Sequence, residues 1–341
     1  MIRAVDTPSA VVDDPFAPAS DPQPNSSWSP DRLLDTPVTT GKEGVSAPPL
    51  AVELPGEKGR FYVLNPQDRE AAIADPGAAI AAKIAVPSIT TCIGSLDKPA
   101  LVPWAAGMAA EDAEKKIRSY IDADQSTREQ LEAEWFAVDR RSGKTQLRRT
   151  IAAAHRTKTE QAQARGTEVH ALCEQIAAGA DVTVEEPLQG YVSAYRDFLD
   201  EYSGIDFEYL ETTVGAGEAG YAGTTDAIAI IDGRRYIIDL KTTGKDKPVV
   251  YPNVGLQLAA AANADNIVYS DGTVGQVPSI DGGLAVSITA SGRYSVFAFD
   301  VSRGGANHQG FLASLGGWHW QRACGSVGRP RSREELNRRP S

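Results

Sequence analysis

Apolar residues follow a helical spacing in one part of the chain and a strand spacing in another. Between Gly166 and Gly179 they recur three and four positions apart, and a longer apolar stripe follows Pro187. From Asp206 onward the spacing falls to two, which is typical of strands that bury one face. The predicted strands cover residues 206–214, 221–231, 234–242, 284–289 and 294–301, with helices at 253–265 and at about 309–322. The pattern therefore predicts an α/β domain.

The first part of the chain has a different organisation. Residues 1–50 hold nine of the 21 prolines and few large apolar side chains, so we expect a disordered arm over residues 1–55. A short strand is predicted at 60–64. A helix is predicted from Pro103, since a first helical turn tolerates proline, to about Tyr120, and a second helix at 127–138.

A third helical stretch, from Asp139 to Arg165, reverses the charge of the chain. It holds eight lysines and arginines against two acids, whereas the whole chain has a formal charge of −11. The basic residues include Arg148, Arg149, Arg156, Lys158 and Arg165. A solvated helix face is the ordinary interpretation of such a run. Its position just before the residues with candidate chemistry favours a track that contacts phosphate groups.

Composition narrows the class of protein further. The 341 residues are 42% hydrophobic, enough for a large core, and contain no apolar run of the length that crosses a membrane. The chain does not start with a basic segment followed by an apolar one, so we expect no secretory signal and a cytoplasmic location. The cysteines at 92, 173 and 324 fit neither a disulfide framework nor a CxxC metal site. The acidic balance argues against a surface coated in nucleic acid, but leaves room for a local basic track.

The candidate chemistry lies in a predicted hairpin. Asp232-Gly233 separates two strand-like runs and is a strong signal for a two-residue turn. That turn places Asp226 directly across from Asp239, with Lys241 on the same side. Opposed carboxylates repel by about 1 kcal/mol in water and by more where they are partly buried, and a bridging Mg²⁺ would offset that repulsion. Two alternatives stay open: a frayed, solvated sheet end where Lys241 neutralises one aspartate, and a bulge that breaks the pairing.

These residues carry a resemblance to a known family. Gly223-Thr224-Thr225-Asp226, followed thirteen residues later by Asp239-Leu240-Lys241, resembles the PD-(D/E)XK nuclease superfamily. More narrowly, the chain resembles the RecB-like and CRISPR-associated exonucleases, including those of tailed bacteriophages. Three further positions are similar to that group: His170 on a helix, Glu211 on the preceding strand and Gln257 on the helix after the DxK strand.

The resemblance implies a restriction-endonuclease-like core, with a central mixed β-sheet flanked by helices, and metal-dependent hydrolysis of DNA. Asp226, Asp239 and the main-chain carbonyl of Leu240 would hold a Mg²⁺ or Mn²⁺ ion, and His170 would be an outer ligand or orient the water. Lys241 would position or deprotonate the attacking water. A packed core residue is the alternative for His170, and a surface lysine paired with Asp239 is the alternative for Lys241.

Three more residues receive roles on the same grounds. Glu211 would complete the metal shell or bind a second cation, unless it is an ordinary strand carboxylate. Gln257 would contact the phosphate or the lysine, unless it is a solvated helix amide. Arg165 would reach a phosphate oxygen or, alternatively, anchor the start of its helix.

The chain departs from the family at two points. The tyrosine that often follows the motif glutamine by four residues is Ala261 here, which puts in doubt the alignment of DNA by that side chain. Many CRISPR-associated members hold an iron–sulfur cluster on four cysteines. With three cysteines at other positions, this chain is predicted to have no such cluster.

The sequence therefore predicts a nuclease domain at 60–325, with a helical part at about 100–165, a catalytic core at about 166–300 and a loose arginine-rich tail at 326–341. The expected function is a DNA exonuclease in recombination, repair or phage DNA processing, in a bacterial or host cytoplasm, beside a single-strand annealing or recombination protein. A structure-specific endonuclease of the same fold and a catalytically silent module that binds DNA ends are the alternatives. No membrane partner is expected.

Overall fold

The computed structural model describes residues 50–96, 98, 101–269 and 273–324. The predicted arm up to residue 49 and the predicted tail at 326–341 lie outside these ranges. The predicted arm boundary at residue 55 is wrong, because Leu50, Val52 and Leu54 are buried and strand β1 (Ala51–Val52) is paired. With Ala51, four of these five positions are buried and apolar, and their burial outweighs the two prolines that precede them.

A small antiparallel sheet opens the described part of the chain. It consists of β1, β2 (Phe61–Val63) and β3 (Ala85–Pro87), and it is followed by the short helix α3 (Ile89–Ile93). Helices α1 (Arg69–Ala74) and α2 (Pro76–Ala81) lie between β2 and β3. The strand predicted at 60–64 is thereby confirmed, and this sheet packs beside the candidate site through a hydrogen bond of 2.9 Å between the Tyr62 and Thr224 hydroxyls.

Three long helices form the helical part: α4 (Leu101–Asp122), α5 (Gln125–Trp135) and α6 (Gln146–Ala177). The sequence predicted two separate helices that meet at Gly166, but α6 is one helix of 32 residues. A glycine suits this interior position of the helix because α6 passes close to β6, where a Cβ atom would lie only 3.3 Å from the Thr242 hydroxyl. The predicted boundary between the helical part and the core therefore falls inside one continuous helix.

The central sheet follows. Its strands are β4 (Asp206–Ala216), β5 (Tyr221–Ile231), β6 (Arg234–Thr243), β7 (Asn266–Val268), β8 (Val274–Gln276), β9 (Gly282–Thr289) and β10 (Tyr294–Phe299). In the described part of the chain they form one seven-stranded sheet in the order β10-β9-β6-β5-β4-β7-β8, and only the β6–β9 pair is parallel. The predicted α/β class with a central mixed sheet is confirmed.

Helices cover both faces of this sheet. Helix α6 and α7 (Gln189–Glu201) pack on one face, and α3, α8 (Asn253–Ala262) and α9 (Ala306–Cys324) pack on the other. Alternate residues of β5 divide between the layers, since Ala227 faces α6 and α7 whereas Ile228 faces α8. Among the helices in the described ranges, none is both long and apolar enough to cross a membrane.

The β5–β6 hairpin has the predicted turn. Asp232 and Gly233 have φ angles of +50° and +76°, the positive values that a tight hairpin turn of this type requires. The pairs run from Ile231 opposite Arg234 to Ala227 opposite Ile238, which confirms the predicted register over that length. The pairing ends there, one step before the two aspartates.

Candidate metal centre

Three side chains from three elements meet next to the point where the β5–β6 pairing ends. His170 comes from α6, Glu211 from β4 and Asp226 from β5, and one ligand atom of each lies within 4.8 Å of the others. The His170 Nδ1 and Asp226 Oδ1 atoms are 3.5 Å apart. An imidazole nitrogen with two carboxylate oxygens is a donor set that could hold a divalent cation. All three residues are among those that the sequence singled out.

Asp226 is held by the main chain of the neighbouring strand. Its Oδ2 atom accepts a hydrogen bond of 2.6 Å from the Leu240 N–H, and its Oδ1 atom faces His170. This side-chain bond stands where a ladder bond to a main-chain carbonyl would continue the hairpin. The expected direct pairing of Asp226 with Asp239 is therefore not formed. Leu240 contacts the centre through its N–H, and the role of its carbonyl stays a prediction.

Glu211 reaches the cluster through an unusual backbone conformation. Its φ angle is +43°, in the left-handed region, which costs a residue other than glycine about 1–2 kcal/mol. Its two neighbours in the chain pair with the residues on either side of Asp226, so the two acids oppose each other across β4 and β5. The fold thus holds a strained residue where it places a carboxylate beside His170.

A second group of side chains lies on β6 and α8. The Lys241 ammonium is 2.8 Å from Oδ1 and 2.6 Å from Oδ2 of Asp239. The Gln257 amide donates to Asp239 Oδ1 at 2.7 Å and accepts from Lys241 at 3.4 Å. Asp239 is only 4% exposed, and its Oδ2 atom is buried without a well-formed hydrogen bond. The structure therefore brings Asp239, Lys241 and Gln257 together, but as a group separate from the three-residue cluster.

The charges of the two groups act on each other. Burial alone would raise the pKa of Asp226, but the charges of His170 and Lys241 and the Leu240 N–H hold it below its usual range. Burial alone would lower the pKa of Lys241, but the carboxylates of Asp239 and Asp226 raise it. Burial raises the pKa of Asp239 to about 6, against the opposing charge of Lys241. At neutral pH Lys241 is therefore an ammonium group, a donor of hydrogen bonds.

The other two members of the cluster bind protons more strongly than usual. Burial lowers the pKa of His170, but the Asp226 carboxylate more than compensates and the net shift is upward. Glu211 is open to solvent along part of its side chain, yet burial of its carboxyl group and the charges of Asp226 and Glu174 raise its pKa to about 8. The cluster thus gathers negative charge that a proton or a cation would neutralise.

Glu174 is a member of the site that the sequence analysis did not include. It follows His170 by one helical turn, and it lines a cavity of about 30 Å³ together with His170, Glu211 and Asp226. Burial and the charge of Asp226 raise the pKa of Glu174. The signal was present in the sequence, because residues four apart on a helix share a face.

The predicted nucleic-acid-binding residues divide between two faces of α6. With 3.6 residues per turn, Arg148, Arg149 and Arg156 lie within about 60° of the direction of His170 around the helix axis, whereas Lys158 and Arg165 lie about 120° and 140° away. Lys158 lines a cavity between α4 and α6. The Arg165 guanidinium lies 6.0 Å above the Tyr191 ring, and its Nε atom is buried without a hydrogen bond.

Ala261, the position that departs from the family, is 3% exposed and packs in the core between α8 and the central sheet. It follows Gln257 by one turn, but it faces the sheet. The buried methyl group leaves no room for a tyrosine unless the core rearranges.

Comparison with known proteins adds little to this geometry. No protein-family model matches the chain, and no curated protein matches it. Among solved structures, the crystal structure of SSO0001 is 16% identical over 39% of this chain and 59% of that chain, with a TM-score of 0.24. The match therefore spans less than two thirds of that protein, and at this TM-score it carries no argument about fold or function.

Proposed function

We propose that this chain is a metal-dependent deoxyribonuclease of the PD-(D/E)XK type that hydrolyses phosphodiester bonds at DNA ends. One observation carries the proposal: the His170–Glu211–Asp226 cluster adjoins the half-buried Lys241, whose ammonium pairs with Asp239 and hydrogen-bonds to Gln257. Oxygen and imidazole ligands beside a fixed positive charge are suited to a reaction in which negative charge grows on a phosphate.

The residues present fit a divalent cation. Asp226 keeps Oδ1 directed into the cluster, and the raised pKa of Glu211 indicates a carboxylate that lacks a compensating charge. The buried Oδ2 atom of Asp239, without a well-formed hydrogen bond, is a further oxygen that could turn toward a cation. Three carboxylates and one imidazole suit Mg²⁺ or Mn²⁺.

The protein's own groups have separable roles in this proposal. A bound cation would polarise the phosphate and acidify a water molecule. Lys241 donates hydrogen bonds to the phosphate or to the water and balances charge that develops there. Gln257 acts as a positioning residue, since its amide holds Asp239 and Lys241 in one arrangement. His170 orients ligands through its second ring nitrogen.

Digestion at DNA ends fits resection in recombination, repair or phage DNA processing, with a single-strand annealing or recombination protein as partner. This part of the proposal rests on the family resemblance of the motifs, and the proposed place of action is the bacterial or host cytoplasm.

Cleavage of end-labelled linear DNA tests the proposal. Wild type and Lys241→Ala should be compared on single- and double-stranded DNA in Mg²⁺, Mn²⁺ and EDTA, with Lys115→Ala as the matched control. Lys115 is an exposed lysine of α4 paired with Glu111. We expect metal-dependent cleavage by wild type and the control and its loss in Lys241→Ala.

The alternatives give different results in the same experiment. Equal cleavage of circular and linear DNA would identify an endonuclease. Binding of DNA ends without cleavage under any metal would contradict the enzymatic proposal and favour a silent binding module.

A further inference from the structure

Part of the charge on α6 forms a row that leads to the metal centre. Arg149, Arg156, Gln163 and His170 are spaced seven residues apart, and seven residues complete almost two full turns. Each step along this row therefore turns by only about 20° and advances about 10 Å. Arg148 lies about 40° around the helix axis from His170, on the side opposite to Arg149 and Arg156. We name Arg148, Arg149 and Arg156 the basic stripe.

The basic stripe is exposed and carries net positive charge. All three side chains are exposed, and within the described ranges no acidic group pairs with Arg148 or Arg156. Arg149 pairs with Asp139 at 3.0 Å. Glu160 is the single acid of α6 in this region, and it lies about 80° around the helix from His170. Two guanidinium groups are therefore available to an anionic partner.

The spacing of the stripe selects among anionic partners. At about 1.5 Å per residue, Arg156 lies about 21 Å and Arg148 about 33 Å from His170 along the helix. One turn of duplex DNA spans about 34–36 Å, so phosphates of one strand return to the same face at nearly the distance between Arg148 and His170. A straight helix can follow a straight duplex over this length, whereas a single strand has no fixed repeat to match.

We propose that the basic stripe binds phosphates of duplex DNA about 6 to 10 base pairs from the bond held at the metal centre, at about 3.4 Å per base pair. This inference rests on the proposed nuclease function and adds a requirement to it. The preferred substrate is a duplex that continues for at least about one turn from the position of the metal ligands.

The test compares Arg148→Gln/Arg156→Gln with the matched control Lys115→Gln/Arg118→Gln. Both double variants lose two positive charges from the helical part. The control residues lie off the stripe, since Lys115 pairs with Glu111 and Arg118 pairs with Glu114, all on α4. Thermal unfolding should be equal in the two variants, so that a difference in binding is not a difference in folding.

Binding is measured by fluorescence anisotropy in EDTA with 6-, 12- and 20-base-pair duplexes and a 20-nucleotide single strand. Each lost phosphate contact lowers the slope of log affinity against log salt concentration by about 0.9. For the long duplexes, the slope of the stripe variant should therefore be lower by about 1.8, and its affinity at 0.1 M salt lower by up to about 60-fold. We expect little change on the 6-base-pair duplex and little change for the control variant.

Cleavage in Mg²⁺ by the same variants separates the two proposals. The inference would be overturned by any of three results: the stripe variant and the control lose the same affinity for DNA, the stripe variant loses the same affinity for the 6- and 20-base-pair duplexes, or it loses as much affinity for the single strand as for the duplex. Cleavage that is indifferent to duplex length and to the stripe would leave the nuclease function standing and the inference refuted. Duplex binding that depends on the stripe, without cleavage in any metal, would support the inferred binding surface and contradict the nuclease function.

Discussion

Replacement of Glu211 by glycine should stabilise the metal-free protein relative to replacement by alanine. Both variants remove the carboxylate, so the change in charge is the same, and they differ only in the backbone. The left-handed φ of +43° costs alanine about 1–2 kcal/mol but costs glycine almost nothing. Glycine loses about 0.5–1 kcal/mol more conformational entropy than alanine on folding. With each term at the middle of its range, the glycine variant should therefore be the more stable by about 0.8 kcal/mol, and by at most about 1.5 kcal/mol.

Urea unfolding followed by tryptophan fluorescence, in EDTA at pH 7, measures this difference. Ala298 provides a control, because it is exposed on β10 and is not among the residues with positive φ. At that position Ala298→Gly should lower the free energy of unfolding by about 0.5–1 kcal/mol, the ordinary sign for a strand.

An alanine variant at 211 that equals or exceeds the glycine variant would refute the reasoning. It would mean that the backbone at this position relaxes once the carboxylate is gone, so that the strain belongs to the side chain's contacts and not to the fold of β4. Opposite signs at 211 and 298 would show that β4 itself imposes the left-handed conformation.

Four further predictions follow from the same geometry. Burial raises the pKa of Glu211 to about 8, so the folded metal-free protein keeps a proton that the unfolded chain releases. The free energy of unfolding should therefore fall as the pH rises from about 5 to 8. The urea midpoint should fall less over this pH range in Glu211→Gln than in wild type, and an equal fall in both proteins would contradict the prediction. His170→Gln should weaken Mn²⁺ binding about 10- to 100-fold, measured as the metal concentration needed to raise the unfolding temperature; an unaltered requirement would exclude His170 from the centre. Gln257→Leu should lower the free energy of unfolding by about 1.5–3 kcal/mol, because the charged Asp239 loses a partly buried hydrogen bond; a smaller loss would mean that water replaces the amide. Leu258→Ala should cost about 2–5 kcal/mol in urea unfolding without a change in slope, since Leu258 is 1% exposed in the core.

The hairpin is the part of the site that local sequence predicted best. The positive φ angles at Asp232 and Gly233 are set by the residue types themselves, and a two-residue turn leaves one register for the strands that flank it. The sequence also placed His170 on a helix and Glu211 on the neighbouring strand. These predictions depend on interactions between residues close in the chain.

Other features depended on packing between distant segments. The unbroken helix α6 places Gly166 against Thr242 of β6, a contact that local propensity cannot anticipate. The strand Ala51–Val52 forms because β2 offers it a partner, although the proline-rich composition before it predicted disorder. Glu174 joined the site only when α6 came to lie across β4 and β5.

By itself the sequence determined the α/β class, the register of the β5–β6 hairpin and the set of ionisable residues available for chemistry, because short-range turn geometry and hydrophobic periodicity specify these features. Only the tertiary structure decided how the acids are divided: Asp226 turns to His170 and Glu211, whereas Asp239 turns to Lys241 and Gln257. The physical reason is that a single hydrogen bond, from the Leu240 N–H to the Asp226 carboxylate, competes with the strand ladder. The outcome of that competition depends on His170 from α6, on Glu211 from β4 and on the neutral amide of Gln257 from α8.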